Sequence, residues 1–107
     1  MEWTTLTDYL GGDSIAGGKM KTSQIWVSPN NDASNSSGFK ALPAGSFYVY
    51  DSTFYYMNFI AYFWTCTPFE SENAWLRYIC NDCGVVDRIN FTRKHGYSVR
   101  VHKGLII

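Results

Sequence analysis

The chain has 107 residues, which supports one hydrophobic core but not two. Nine acidic and nine basic side chains cancel, so it lacks the basic footprint of a nucleic-acid binder and the field that draws in phosphates or anionic lipid. Aromatic residues reach 18%, more than a small core needs; the surplus is either exposed for recognition or taken up by strands, since aromatics suit both.

Trp3, Leu6, Tyr9 and Leu10 recur at helical spacing and Gly11-Gly12 stops them, which predicts a helix over 2–10. Asp13 or Ser14 can cap a second, short helical turn through Ile15-Ala16. Gly17-Gly18 weakens this turn, and Lys19-Met20-Lys21 extends it. Residues 22–43 are rich in Asn, Asp, Ser and Gly, which satisfy their own backbone locally and form loops. Ile25, Trp26, Phe39 and Leu42 are expected to pin the loop ends to the core. A loop of this length is either functional or a linker. After Pro43 the pattern turns to β, with strands expected over 47–50, 60–65, 74–79, 85–90 and 97–101. The fold class that follows is α+β in a single domain over 1–107, with helices first and a twisted antiparallel sheet after. Trp3, Leu6, Leu10, Trp26, Phe39, Leu42, Trp64, Trp75, Val86 and Val99 are the expected core.

No apolar run is long enough to span a bilayer, so direct membrane insertion is not expected. The densest stretch, 59–64, is too short for a secretory leader and lies mid-chain, and none is seen at Met1. Three cysteines, Cys66, Cys80 and Cys83, leave at least one without a mate in the chain. Cys80-Asn81-Asp82-Cys83 has C-x-x-C spacing, open to redox or zinc chemistry. A redox pair sits at a helix start, whereas this one falls at a turn between strands. Zinc needs two more ligands, and Cys66, His95 and His102 are the only further Cys or His candidates. The expectation is therefore no metal and no cofactor, with Cys80 and Cys83 reduced. Asn30, Asn31, Asp32, Asn35 and Ser36 form an oxygen-rich loop, but one carboxylate is few for calcium, and a turn network is the better reading. No nucleophile elbow or similar motif accompanies the two histidines, so no catalytic residue is assigned and an enzyme is not expected. Arg77, Arg88 and Arg100 are expected to pair with Asp51, Glu70, Glu72 or Asp87.

Several motifs follow one another in a characteristic order: Glu2-Trp3-Thr4-Thr5-Leu6, Leu10-Gly11-Gly12-Asp13-Ser14, Ala16-Gly17-Gly18-Lys19-Met20-Lys21 and Ser37-Gly38-Phe39-Lys40-Ala41-Leu42-Pro43-Ala44-Gly45. Phe63-Trp64, Asn73-Ala74-Trp75-Leu76-Arg77-Tyr78 and Gly96-Tyr97-Ser98-Val99-Arg100 complete the series. Together they resemble the Fibrobacter succinogenes major paralogous domain, found in surface and secreted proteins of gut bacteria. The resemblance implies a C-type lectin-like fold, two helices on a twisted antiparallel sheet with long loops, and an extracellular or cell-surface location. Family members usually begin further upstream, with a Cys-Pro-x-Gly-Trp-His-like segment, so an N-terminally trimmed domain is expected. The family often has Cys after Ser-Val-Arg; Val101 stands there, and the end-to-end disulfide is not expected.

A second resemblance is to the C-type lectin-like variable proteins of diversity-generating retroelements, in which adenine-rich codons are randomised. The matching positions are Tyr56, Asn58, Phe59, Ile60, Tyr62, Phe63, Cys80, Asn81, Asp82, Cys83, Val85, Asp87, Ile89 and Phe91. Cys, Ile, Phe, Val and Asp are reachable from an Asn codon by changing adenines; ordinary drift plus core packing is the other reading. These positions are the candidate ligand-binding residues, for a protein or glycan on another surface. Strand alternation should gather Tyr56, Phe59, Tyr62, Cys80, Asp82, Val85, Asp87, Ile89 and Phe91 on one exposed side. A structural module of a larger surface protein, and a thiol-dependent enzyme related to formylglycine-generating enzymes, are the rival readings.

Overall fold

The computed structural model describes residues 2–99, 101–102 and 105–106, with side chains described for 3–65 and 69–99. The chain opens with helices α1 (Glu2–Tyr9) and α2 (Asp13–Met20). Helix α1 ends at the two glycines as expected, and Trp3, Thr7 and Leu10 form its buried side. Helix α2 runs a full eight residues, so Gly17-Gly18 does not interrupt it and Lys19-Met20 extends it, as expected. Gly17 and Gly18 are buried and lie against neighbouring backbone, where an added Cβ would come within 2.6 Å of the Val85 carbonyl oxygen and 2.4 Å of that of Asp32. Close packing thus offsets the roughly 1 kcal/mol that glycine costs a helix relative to alanine. Neither Asp13 nor Ser14 caps α2; Gly12 is the N-cap residue, without a side-chain cap.

A long irregular segment follows, ordered by its own side chains. Asn30 Nδ2 donates to the Thr22 carbonyl, and Asn35 Oδ1 accepts from the Lys40 N–H. Asn30, Asp32 and Asn35 take positive φ values of 43°, 60° and 50°, which suits Asn and Asp in turns. Trp26 and Phe39 anchor the segment in the core, but Ile25 and Leu42 are exposed and do not. The buried position beside Leu42 belongs to Ala41, which bridges Lys21.

The β portion begins with a short antiparallel hairpin, β1 (Ser46–Tyr48) and β2 (Thr53–Tyr55). The central sheet is β3 (Ile60–Phe69), β4 (Asn73–Cys80) and β5 (Asp87–Thr92), antiparallel and in chain order. Strand β5 starts two residues later than its apolar pattern predicts, because Val86 is buried and its N–H is held by the Asp13 carbonyl at 2.8 Å. Residues 96–98 join by single bridges, Phe47 to Gly96 and Phe63 to Ser98, and Val99 is half exposed where a core residue was expected. Strands β6 (Val101–His102) and β7 (Leu105–Ile106) pair with each other. Strand β2 has no apolar alternation and was not expected; β7 was not expected either.

Register defines the two faces of the central sheet. Ala61, Phe63, Arg77 and Ile79 lie on one side, linked by the pairs Ala61–Ile79 and Phe63–Arg77, and all are buried. This side meets the helices: Trp3, Phe39 and Phe63 form a ring trio with centroids 5.5–5.7 Å apart. Arg77, 5% exposed, donates to Asp13 Oδ1 and Thr4 Oγ1, each at 3.1 Å. Its partner is therefore on the helices, not among Asp51, Glu70, Glu72 or Asp87. Arg88 stacks over the Trp75 ring at 5.0 Å, and Arg100 lies outside the described residues.

Candidate ligand-binding face

The opposite side of the sheet follows from the same register. Tyr62 pairs with Tyr78, Tyr78 with Asp87, Leu76 with Ile89, Ala74 with Phe91, and Ile60 with Cys80. Paired residues point the same way, and alternation repeats the direction every second residue. Ile60, Tyr62, Cys80, Asp87, Ile89 and Phe91 therefore share one face; Ile89 and Phe91 are exposed on it, and Ile60, Tyr62, Cys80 and Asp87 are half-buried. Leu76 is fully buried beneath it, so this face is packed at its centre and open at its rim.

An aromatic network extends the face well beyond the sheet. Tyr62 contacts Tyr56 at 6.4 Å, Tyr78 at 5.7 Å and Tyr97 at 5.0 Å. Tyr97 meets Trp64 at 4.7 Å and His95 at 6.1 Å. His95 stacks on Tyr48 at 4.6 Å and touches Tyr50 and Phe91 edge-on. Tyr48 reaches Tyr55, and Tyr55 returns to Tyr56. One connected aromatic sheet thus runs from Phe91 to Tyr56. Beside it, Phe47, Phe54, Gly96 and Tyr97 help to line a shallow cleft of about 240 Å³.

The most exposed part of this surface is the hairpin and its exit. Every residue over 50–59 is exposed, among them Tyr50, Phe54, Tyr55, Tyr56, Met57 and Phe59. The segment is nevertheless held in place. The Asn58 N–H donates to the Pro43 carbonyl at 2.7 Å, and the Asn58 carbonyl accepts from Val27 at 2.8 Å. The Phe59 and Ile60 N–H groups both donate to the Tyr56 carbonyl. Tyr56 and Asn58 take φ values of 66° and 71°, a region that costs a bulky residue such as tyrosine on the order of 1–3 kcal/mol. Gly45, at φ 73°, lies so close that an added Cβ would be 2.2 Å from the Tyr55 carbonyl oxygen. The loop is strained, tightly seated and outward-facing.

His95 is the hub. It is 4% exposed, its Nδ1 accepts from the Val49 N–H at 3.1 Å, and burial lowers its pKa. An accepting Nδ1 implies the neutral tautomer protonated at Nε2. Burial raises the tyrosine phenols of the network: Tyr97 is pushed up to about 12, and Tyr62 and Tyr78 also move up. The phenols stay neutral hydroxyls able to donate and accept hydrogen bonds. Tyr55 is raised by its hydrogen bond to Asp51.

Not every expected residue lies here. Phe63 is a correction: its side chain is in the core with Trp3 and Phe39, because it alternates with Tyr62 and Trp64. Val85 precedes β5, is half-buried and packs its carbonyl against Gly17. Asn81, Asp82 and Cys83 occupy the turn after β4, where the Asn81 amide is engaged by the Val27 and Ser28 carbonyls. Tyr48, Tyr50, Phe54, Tyr55, Tyr78, His95 and Tyr97 were not singled out. For Tyr48, Tyr50, Phe54 and Tyr55 the sequence signal was the aromatic density of 47–56, which strand propensity explained equally well; Tyr78, His95 and Tyr97 had no local signal, because long-range packing brings them in.

No curated protein and no solved structure matches this chain. The family model described as the Fibrobacter succinogenes major domain matches residues 1–103, and the two N-terminal helices and antiparallel sheets agree with what that resemblance implied; the chain belongs to the Fibrobacter succinogenes major domain family.

Proposed function

We propose that this domain is a non-enzymatic ligand-binding module whose aromatic face recognises a protein or glycan on another surface. The observation that carries this reading is the exposed run over 50–59, where six large apolar or aromatic side chains stand on a segment held by backbone hydrogen bonds. An ordinary surface loop relaxes such groups inward or replaces them with polar ones; a contiguous exposed aromatic patch is a mark of recognition. Tyrosine suits this role because its ring supplies area with little entropy to lose and its hydroxyl supplies hydrogen bonds. Retroelement diversification is a finer reading of the same face: Tyr56, Tyr62, Ile89 and Phe91 lie on it, and their residue types are reachable from an Asn codon by changing adenines. Sequencing this locus across a population would show whether substitutions cluster at those positions.

The direct test replaces Phe54, Tyr56 and Phe59 together by Ser. Wild-type and variant domains are applied to a glycan array and a displayed peptide library. The expected result is selective binding by the wild type, its loss in the variant, and a melting temperature that does not fall, since these side chains are 72%, 54% and 45% exposed. Unfolding of the variant would place them in the core, and equal binding by both proteins would remove the face from recognition.

A further inference from the structure

The turn after β4 carries a second constellation, separate from the exposed hairpin. The Sγ atoms of Cys80 and Cys83 and a carboxylate oxygen of Asp82 lie within 4.8 Å of one another. Two thiols and a carboxylate meeting at one point are unusual in a turn that needs none of them for its hydrogen bonding.

The backbone behind these side chains is held at every carbonyl. Lys21 is fully buried, and its Nζ donates to the Cys80 carbonyl at 3.1 Å and the Cys83 carbonyl at 2.9 Å. Asn31 donates its N–H to the Asn81 carbonyl and its Nδ2 to the Asp82 carbonyl, both at 2.9 Å. The Gly18 N–H donates to the Gly84 carbonyl at 3.2 Å. Five consecutive carbonyls are therefore fixed by α2 and the segments that follow it. Cys80 and Cys83 are only partly covered and Asp82 is exposed, so the donor atoms are reachable from solvent. A ligand set supported from behind and open in front is what metal binding requires.

We infer that Cys80, Cys83 and Asp82 bind one Zn²⁺ ion, with the fourth position open to solvent or to a donor from a bound partner. Zinc takes thiolate sulfur at about 2.3 Å and carboxylate oxygen at about 2.0–2.2 Å in a tetrahedron. Ligand atoms in that tetrahedron lie roughly 3.3–3.8 Å apart, so the cluster needs to close by at most about 1.5 Å. Sulfur donors disfavour calcium and magnesium, which prefer all-oxygen shells. Charge also agrees. Two thiolates and one carboxylate exceed the ion by a single negative charge, and the Lys21 ammonium sits directly behind them. On binding, each thiol loses its proton to solvent and forms a Zn–S bond, so two protons leave per ion. The third donor is a carboxylate, Asp82, and not a Cys or His.

The test uses the whole chain, kept reduced, titrated with Co²⁺ and read by thiolate-to-cobalt charge-transfer absorption, with Zn²⁺ then displacing the cobalt. The expected result is one ion per chain, an apparent affinity that rises with pH as two protons leave, and an unchanged spectrum in Cys66→Ser. Cys83→Ser should lose the two-thiolate band. Asp82→Asn should bind at least about tenfold more weakly, a loss no smaller than outer-shell changes produce; far-UV circular dichroism should show both variants folded. Absence of the band in the reduced wild type, its survival in Cys83→Ser, its loss in Cys66→Ser, or unchanged affinity in Asp82→Asn would each overturn the site.

Discussion

Replacing Lys21 by Met tests the energetic centre of the molecule. Lys21 is fully buried, donates to the carbonyls of Cys80 and Cys83, and lies 5.4 Å from the Trp26 ring centroid. Methionine keeps an unbranched chain of similar volume but donates nothing. Each carbonyl left unpaired costs about 1–3 kcal/mol, and the lost cation–π contact adds roughly 0.5–2 kcal/mol. Against this, methionine removes the desolvation of an ammonium, the effect that lowers the Lys21 pKa; that penalty is on the order of several kcal/mol for a buried ion. The balance is a net loss of about 2 kcal/mol, or a fall in melting temperature of roughly 8–16 °C for a domain of this size. Urea titration followed by tryptophan fluorescence, paired with a thermal melt, reads both quantities. A variant as stable as the wild type, or more stable, would refute the reasoning. It would show that the two hydrogen bonds do not offset the cost of burying the charge.

Two further outcomes test the hairpin and its hub. Burial lowers the His95 pKa, so the unfolded chain binds this proton more tightly; the stability it contributes is present above about pH 6.5 and lost as pH falls toward the lower folded value. Protonation also turns Nδ1 into a donor facing the Val49 N–H, among the rings of Tyr48, Tyr50, Phe91 and Tyr97. The urea midpoint should fall between about pH 7.5 and about pH 5.5 in the wild type, and His95→Gln should flatten that decline; equal slopes in the two proteins would exclude His95 as the source. Gly45→Ala places a methyl 2.2 Å from the Tyr55 carbonyl oxygen and 2.8 Å from the Met57 nitrogen at φ 73°. The expected loss is at least about 2 kcal/mol in urea unfolding, and a loss below about 0.5 kcal/mol would mean that the aromatic loop shifts freely and is not preorganised.

Local pattern was enough to place much of the frame. Helical spacing in Trp3, Leu6 and Leu10, with glycines behind them, located α1, and strand alternation put Tyr62, Ile89 and Phe91 on one face of the sheet. These signals are local: a period of 3.6 or 2 survives in any fold that buries one side. Composition also announced more aromatics than one core can hold. The tertiary structure decided the rest, because the deciding partners are far apart in the chain. Gly17 and Gly18 remain helical through contacts with Val85 and Asp32, which helix propensity does not register. Arg77 finds Asp13 and Thr4 on the helices, 64 and 73 residues away. Phe63 joins the core and not the face because it alternates with Tyr62 and pairs with buried Arg77. His95 became the hub of the aromatic surface only when 47–56 folded against it, and Asp82 joined Cys80 and Cys83 only when Lys21, 59 and 62 residues away from their carbonyls, fixed the turn behind them. Periodicity says which side of an element is apolar, but the partner that meets a buried charge or an exposed ring is chosen by chain closure over long separations, and that choice has no local signature.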